Sequence, residues 1–338
     1  MTGPVRLGYK ASAEQFAPRK LLDFAVQAER IGLDTVAISD HFQPWRHTTG
    51  HAPYSLAWIA ALGERTERVS LGTSVLTPTF RYHPSIVAQA FGTLACLNPG
   101  RVFLGIGAGE AMNEKPALGI EWPRFKERSG RLAESVELIR QIWSNERVSF
   151  QGDYYRTILA TIYDRPPQPV PIYMAAGGPK AAKLVGRLGD GFICTSGKDP
   201  ALYDTLLGAL AEGAEEQGRE PGAIAKMIEV KLSYDRDVDY ARTSCEWWGA
   251  LALPSEAKSG IEDPVELERL ADEGKDRAHT RFIVSNDPEE VVERVQTYVD
   301  LGFDELVFHF PCGDQARSLD QFAADVLPLM RGRWGSAG

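Results

Sequence analysis

The sequence predicts a parallel α/β protein closed into a single (β/α)8 barrel, and three observations point there. Eight β-like apolar runs alternate with amphipathic helical stretches, and no Pro/Gly/Ser-rich linker divides them. Such alternation builds a parallel sheet, and the number eight favours a closed barrel over an open sheet. Polar or small residues follow the strand-like runs, as expected if they share the rim at the carboxyl ends of the strands, where barrel active sites lie.

Taken in order, Val5 to Tyr9 is β-like, and Pro18 to Ile31 carries a helical stripe of Leu21, Leu22, Ala25 and Ala28 closed by Gly32. Asp34 to Ser39 is the next strand and Ser55 to Arg65 the next helix. Between them Ser39-Asp40-His41-Phe42-Gln43-Pro44-Trp45-Arg46-His47 turns abruptly polar, and Pro44 disfavours helix at Gln43, so the stretch reads as a fixed loop. Val69 to Leu76 is the third strand, followed by a helix with Pro84 in its first turn. Arg101 to Ala108 is the fourth, with an inserted segment of about 110–124 before a long helix from Phe125 to Trp143. An aromatic and polar excursion, 148–163, reads as an inserted hairpin. Val170 to Ala175, Phe192 to Ser196 and Lys226 to Tyr234 are strands five to seven, with helices from Pro179 to Leu188 and from Leu202 to about Gln217 between them. A third insertion, about 235–281, precedes a helix from Asp287 to Leu301, strand eight from Glu305 to Phe310, and a last helix from Leu319 to Met330. Residues 1–338 thus form one barrel domain, with 332–338 expected as a disordered tail.

A net charge of −9 argues against non-specific binding to nucleic acid or to anionic membranes. Cys96, Cys194, Cys245 and Cys312 are widely spaced, as in a reduced cytoplasmic protein, and there is no signal-like or membrane-spanning run.

On the predicted rim, Glu14, His41 and Glu110 could supply acid and base chemistry near neutral pH, or could be salt-bridged scaffold groups. Gly105-x-Gly107-x-Gly109-Glu110 is not a dinucleotide fingerprint: Glu110 stands at the third glycine position, and an insertion rather than a helix is expected next. Small residues such as Gly107 would instead let a flat ring approach the backbone. Ala175-Ala176-Gly177-Gly178-Pro179 opens a helix and is either an anion site or a plain turn. Lys198, Lys258 and Arg281, if they converge, form a phosphate clamp. His41, His47 and His51 lack the companion ligands of a zinc site, so no metal is expected.

Long blocks carry a more specific signal: Gly8 to Phe16, Ser39 to His47, Gly72 to Tyr82 and Gly191 to Lys198. On these the chain resembles the luciferase-like barrel superfamily, and within it the actinobacterial glucose-6-phosphate dehydrogenases that use the deazaflavin coenzyme F420. The resemblance runs over nearly the whole chain, departing at Lys115 to Pro123, Thr157 to Ile162 and Ser244 to Leu253. It implies oxidation of glucose 6-phosphate to 6-phosphogluconolactone, with hydride passed to F420, by a homodimer. It makes His41 the catalytic histidine, Trp45 the indole beside the reacting carbon, Glu110 the proton donor to the deazaflavin and Glu14 a second active-site carboxylate, leaving open whether His41 or Glu14 takes the anomeric proton. Asp40, Thr77, Asn113, Gly177, Gly178 and Thr195 resemble coenzyme contacts, Ser74-Val75 matches a non-proline cis peptide, and Lys198, Lys258 and Arg281 match the phosphate grip. The alternatives are a flavin monooxygenase or another F420-dependent alcohol dehydrogenase or reductase of the same superfamily, and a flavin-binding protein without chemistry.

Overall fold

A computed structural model describes residues 4–254 and 260–335. Eight parallel strands close into a ring: β1 (Arg6–Ala11), β2 (Thr35–Ile38), β3 (Ser70–Thr73), β4 (Val102–Ile106), β5 (Ile172–Ala175), β6 (Gly191–Thr195), β7 (Ala225–Tyr234) and, after the short β8 (Ile283–Ser285), β9 (Glu305–His309), which returns to β1. The sequence gives no sign of β8. At ten residues β7 overruns the ring, and its end, Leu232 to Tyr234, pairs outside the barrel with Ile283 to Ser285.

Alternation along each strand separates two cores. Leu7, Tyr9, Ile228, Val230 and Phe308 face outward into the layer of helices. That layer includes α1 (Pro18–Arg30), which buries Leu21, Phe24, Ala25 and Ala28 at helical spacing. It continues through α2 (Ser55–Gly63), α3 (Pro84–Leu97), α4 (Ala111–Leu118), α5 (Phe125–Ser144), α6 (Pro179–Leu188) and α7 (Pro200–Glu215). The inward faces fill the barrel with Ala37, Phe103, Ile193, Met227 and Val307. Truncating such a residue, Met227→Ala for example, costs about 2–5 kcal/mol. Below this plug Arg6 pairs with Glu305 at 3.3 Å and donates to Ser70 at 2.7 Å, sealing the amino end of the barrel.

Two expectations change, one in a loop and one in strand β4. Helix α4 begins directly after Glu110, where an irregular insertion was expected, because Glu110 takes the extended cap position and Gly119 ends the helix in the left-handed region at φ 64°. Gly105 is small for strand packing and not for a ring: a Cβ there would lie 1.7 Å from the Thr73 carbonyl oxygen of the neighbouring strand. The excursion at 148–163 is a hairpin held by the bridges Val148–Ala160 and Gln151–Arg156. The segment after β7 folds into α8 (Val238–Thr243), a 3-10 stretch Ser244–Ala252, α9 (Pro264–Asp272) and a second 3-10 stretch Lys275–Arg281.

Helix α10 (Pro288–Asp300) is capped by Asp287, which accepts from the Glu289 amide at 2.9 Å. The chain closes with α11 (Gln315–Gln321), a π turn and α12 (Leu327–Trp334). The expected tail is therefore ordered as far as this helix goes, with Trp334 Nε1 donating to Gln296 at 2.7 Å. Residues 336–338 lie outside the described residues. Among the described residues no helix is long and apolar enough to cross a membrane.

Candidate active site

At the carboxyl ends of the strands lies a cavity of about 510 Å³. Glu14, Asp40, His41, Trp45, Ser74, Val75 and Thr77 line it, as do Gly107, Glu110, Asn113, Gly177, Thr195, Lys198 and Arg281. Gly178 is not in its wall; it caps the amino end of α6. Lys258 lies outside the described residues.

The loop after β2 keeps its shape through polar ties. Asn113 Oδ1, from α4, accepts from the amides of Phe42 at 2.8 Å and Gln43 at 3.2 Å, while Asn113 Nδ2 donates to Glu110 Oε2 at 3.3 Å. Gln43 Nε2 donates to the Met112 carbonyl at 3.1 Å and the Glu262 carbonyl at 2.8 Å. Asp40 is buried and its carboxylate is fully engaged: Arg81 donates at 2.9 Å, Ser55 at 2.6 Å and Tyr82 at 3.0 Å. Arg81 also pairs at 3.0 Å with Glu114, which is wholly buried. The Asp40 side chain therefore anchors the loop to α2 and α3's approach, so the likeness to a coenzyme contact is not carried by a free carboxylate.

Held this way, His41 presents Nδ1 2.6 Å from Glu14 Oε1. At that distance the imidazole and the carboxylate form a close ion pair. Burial alone would lower the imidazole's pKa, but the Glu14 charge, helped by Glu110, outweighs it and raises it above 6.5. Burial likewise opposes ionisation of Glu14, yet His41 and Lys10 bring its pKa down to about 2. Each group thus favours the charged form of the other. The rings of His41 and Trp45 lie nearly parallel, 6.4 Å apart with 6° between planes.

The same cavity also carries a cluster of cations. Lys198 and Arg281 line the cavity, as expected, and are joined by three charged residues that sequence reading missed: Lys10, Glu229 and Lys231. Lys10 pairs with Glu229 at 2.8 Å. Lys231 is buried and donates to the Ser196 carbonyl at 3.3 Å. Burial, followed by repulsion from Arg281, Lys198 and Lys10, outweighs the attraction of Glu229 and lowers the Lys231 pKa to about 8. His309 was missed as well; it lines the same cavity. All four lie on the inward faces of β1, β7 and β9, so strand alternation was the signal that could have found them.

Elsewhere the lining suits a flat ring. Ser74-Val75 is a cis peptide bond, and a Cβ at Gly107 would meet Val75 Cγ2 at 2.8 Å. Half-buried Val75 and the side-chain-free Gly107 thus form a bare apolar surface, with Thr77 and Asn113 at its border. That combination fits a deazaflavin ring system: an apolar face for the ring and hydrogen-bonding groups at its edge.

Comparison with known proteins agrees with this geometry. Residues 3–305 match the luciferase-like monooxygenase family model. The F420-dependent glucose-6-phosphate dehydrogenase of Intrasporangium calvum is 60% identical over 332 residues, covering 97% of this chain and 99% of its own. That of Kineococcus radiotolerans is 59% identical over 330 residues, with 97% and 98% covered. Among solved structures, an F420-dependent secondary alcohol dehydrogenase in complex with an F420-acetone adduct superposes with a TM-score of 0.91 at 33% identity, over 97% of this chain and 99% of that one. With a family model over most of the chain and relatives aligned along nearly their full length, the chain belongs to the luciferase-like monooxygenase family and, within it, to the F420-dependent glucose-6-phosphate dehydrogenases.

Proposed function

We propose that this protein oxidises glucose 6-phosphate at C1 to 6-phosphogluconolactone with coenzyme F420 as hydride acceptor. The observation that carries the reading is one cavity lined both by the His41–Glu14 pair and by the cations Lys198, Lys231 and Arg281. A sugar phosphate has the matching polarity, an oxidisable carbon at one end and a dianion at the other. Arginine and lysine together suit a phosphate, the first as a fork and the second as a point charge.

When bound, F420 supplies the hydride-accepting carbon of its deazaflavin ring. Val75 and Gly107, which line the cavity, would support that ring, and Thr77, Asn113, Gly177 and Thr195 in the same lining would supply polar contacts to the coenzyme. His41 takes the proton of the anomeric hydroxyl. Glu14 is the weaker base of the two, since a carboxylate with a pKa of about 2 holds a proton poorly. Its task is to orient the imidazole and to stabilise the imidazolium that forms. Glu110, beside Asn113 at the start of α4, donates the proton that N1 of the reduced ring requires. The Trp45 face, next to His41, steadies positive charge developing on the sugar by about 1 kcal/mol.

The reading includes a homodimer, a cytoplasmic location, which four unpaired cysteines support, and no nucleic-acid partner, which the net charge of −9 supports. The cation cluster favours a phosphorylated substrate over a plain secondary alcohol. Purified protein mixed with F420 and either glucose 6-phosphate or glucose tests it: the visible absorbance of the oxidised coenzyme falls rapidly with the phosphorylated sugar only. No loss with glucose 6-phosphate refutes the proposal, and equal loss with isopropanol supports the alcohol dehydrogenase reading instead.

A further inference from the structure

One imidazole in the cavity has no task in the chemistry above. His309 ends β9 and faces into the barrel mouth, 4% exposed. Neither ring nitrogen has a hydrogen-bond partner among the described residues. The ring is held by apolar contacts: Trp248 meets it edge-on, with centroids 4.3 Å apart at 87°, and Phe282 lies tilted at 5.8 Å. A buried polar ring with both nitrogens unmatched is costly, and native proteins keep such groups for a ligand or an ordered water.

The surroundings define which ligand chemistry fits. Glu229, Glu14, Lys231 and Lys10 all act on the ring electrostatically. Burial dominates them and lowers its pKa to about 4, so the ring is neutral. A neutral imidazole carries one N–H donor and one acceptor nitrogen. A phosphate offers only acceptors and an ammonium only donors; an alcohol hydroxyl offers both, as the ring does. The position agrees, since His309 lines the same cavity as the Glu14–His41 pair and the cations Lys198, Lys231 and Arg281, and feels both Glu14 and Lys231. In a bound sugar phosphate the part between the reacting carbon and the phosphate is the pyranose ring.

We propose that His309 binds a secondary hydroxyl of the sugar ring and so sets specificity among sugar phosphates, an inference that rests on the function proposed above. Trp248 and Phe282 fix the angle at which the ring meets that hydroxyl.

The test compares wild type, His309→Phe and His309→Gln on glucose 6-phosphate and its 2-deoxy, 3-deoxy and 4-deoxy analogues. Phe keeps the packing and removes both nitrogens; Gln restores a donor and an acceptor. Wild type loses roughly 10- to 100-fold in kcat/KM on one analogue. His309→Phe loses a similar factor on glucose 6-phosphate, chiefly in KM, yet equals wild type on that one analogue and still discriminates the other two. His309→Gln recovers part of the loss. Equal losses by His309→Phe on all four sugars, or none on any, overturn the proposal.

A second measurement needs no variant. The ¹⁵N resonances of the wild-type His309 ring shift on addition of glucose 6-phosphate and stay in place with the discriminated analogue; identical responses to all four sugars overturn it too. If wild type does not reduce F420 with glucose 6-phosphate, the parent reading falls and this inference with it. If wild type turns over and no analogue separates it from His309→Phe, only the assignment of His309 falls.

Discussion

Glu14→Gln keeps the shape of a side chain and removes its charge, which isolates the role of the His41–Glu14 pair. The two groups are 2.6 Å apart. A carboxylate that close raises the imidazole pKa by favouring its charged form. Burial acts the other way and persists in the variant, so the His41 pKa drops from above 6.5 to below it. If His41 takes the anomeric proton, wild-type kcat/KM rises with pH through the raised imidazole pKa. In Glu14→Gln that ascending limb moves to lower pH, and the plateau falls about tenfold or more because the imidazole is a weaker base. Initial rates of F420 reduction across mildly acidic to mildly basic pH read both effects. An ascending limb that does not move removes His41 as the base. A wild-type profile flat through the acidic range assigns the proton to Glu14, ionised down to about pH 2. The pair also governs stability, with signs that follow from the shifts. Glu14's lowered pKa stabilises above the ordinary 4.5 and the effect is lost as pH falls toward about 2; His41's raised pKa stabilises below 6.5 and the effect is lost as pH rises through the folded value. The gap in thermal stability between wild type and variant is therefore widest between pH 4.5 and 6.5, and on the order of 3 kcal/mol.

Three further substitutions probe other parts of the site. Glu110→Gln lowers kcat by about 10²–10⁴ while leaving the KM for glucose 6-phosphate nearly unchanged, and a wild-type kcat at every pH ends its role as proton donor. Lys231→Met raises the KM for glucose 6-phosphate roughly tenfold or more and leaves the slow oxidation of glucose untouched; equal losses on both sugars remove Lys231 from the phosphate grip. Arg81→Met strands two buried carboxylates, Asp40 and Glu114, and costs about 3–5 kcal/mol in urea unfolding of the ligand-free protein. An unchanged urea midpoint would show that this network does not brace the loop.

The barrel was legible because its strands and helices differ in period, and the rim was legible where polar residues follow the strands in sequence, as at Asp40, His41 and Glu110. Residues still inside a strand were harder. In β7, Met227, Glu229 and Lys231 alternate with Ile228, Val230 and Leu232, and in a soluble barrel the charged face invites assignment to the outside. Closure reverses that: the apolar set meets the helices, and the charged set stands inside near the mouth, where Lys10 and Glu229 neutralise each other. His309 was hidden by the same ambiguity, sitting between Phe308 and Phe310 in what reads as core. Helix α4 was hidden because Pro116 falls inside it, and β8 because three residues carry too little periodicity to register.

The arrangement of charge explains why one barrel mouth can select a phosphorylated sugar and still deprotonate it. Glu14 and His41 compensate each other, and Glu229 compensates Lys10, so those four groups contribute little net field. Lys198, Lys231 and Arg281 repel one another, and burial together with that repulsion outweighs the attraction of Glu229 and lowers the Lys231 pKa. A phosphate dianion relieves that repulsion, whereas glucose itself cannot. On the proposed reading, binding energy is concentrated at the phosphate end of the substrate, so that C1 is held against His41 and the hydride acceptor without a strong field at the reacting centre. Separation of the two tasks along one cavity is what lets remote binding energy be spent on orientation at the reacting carbon.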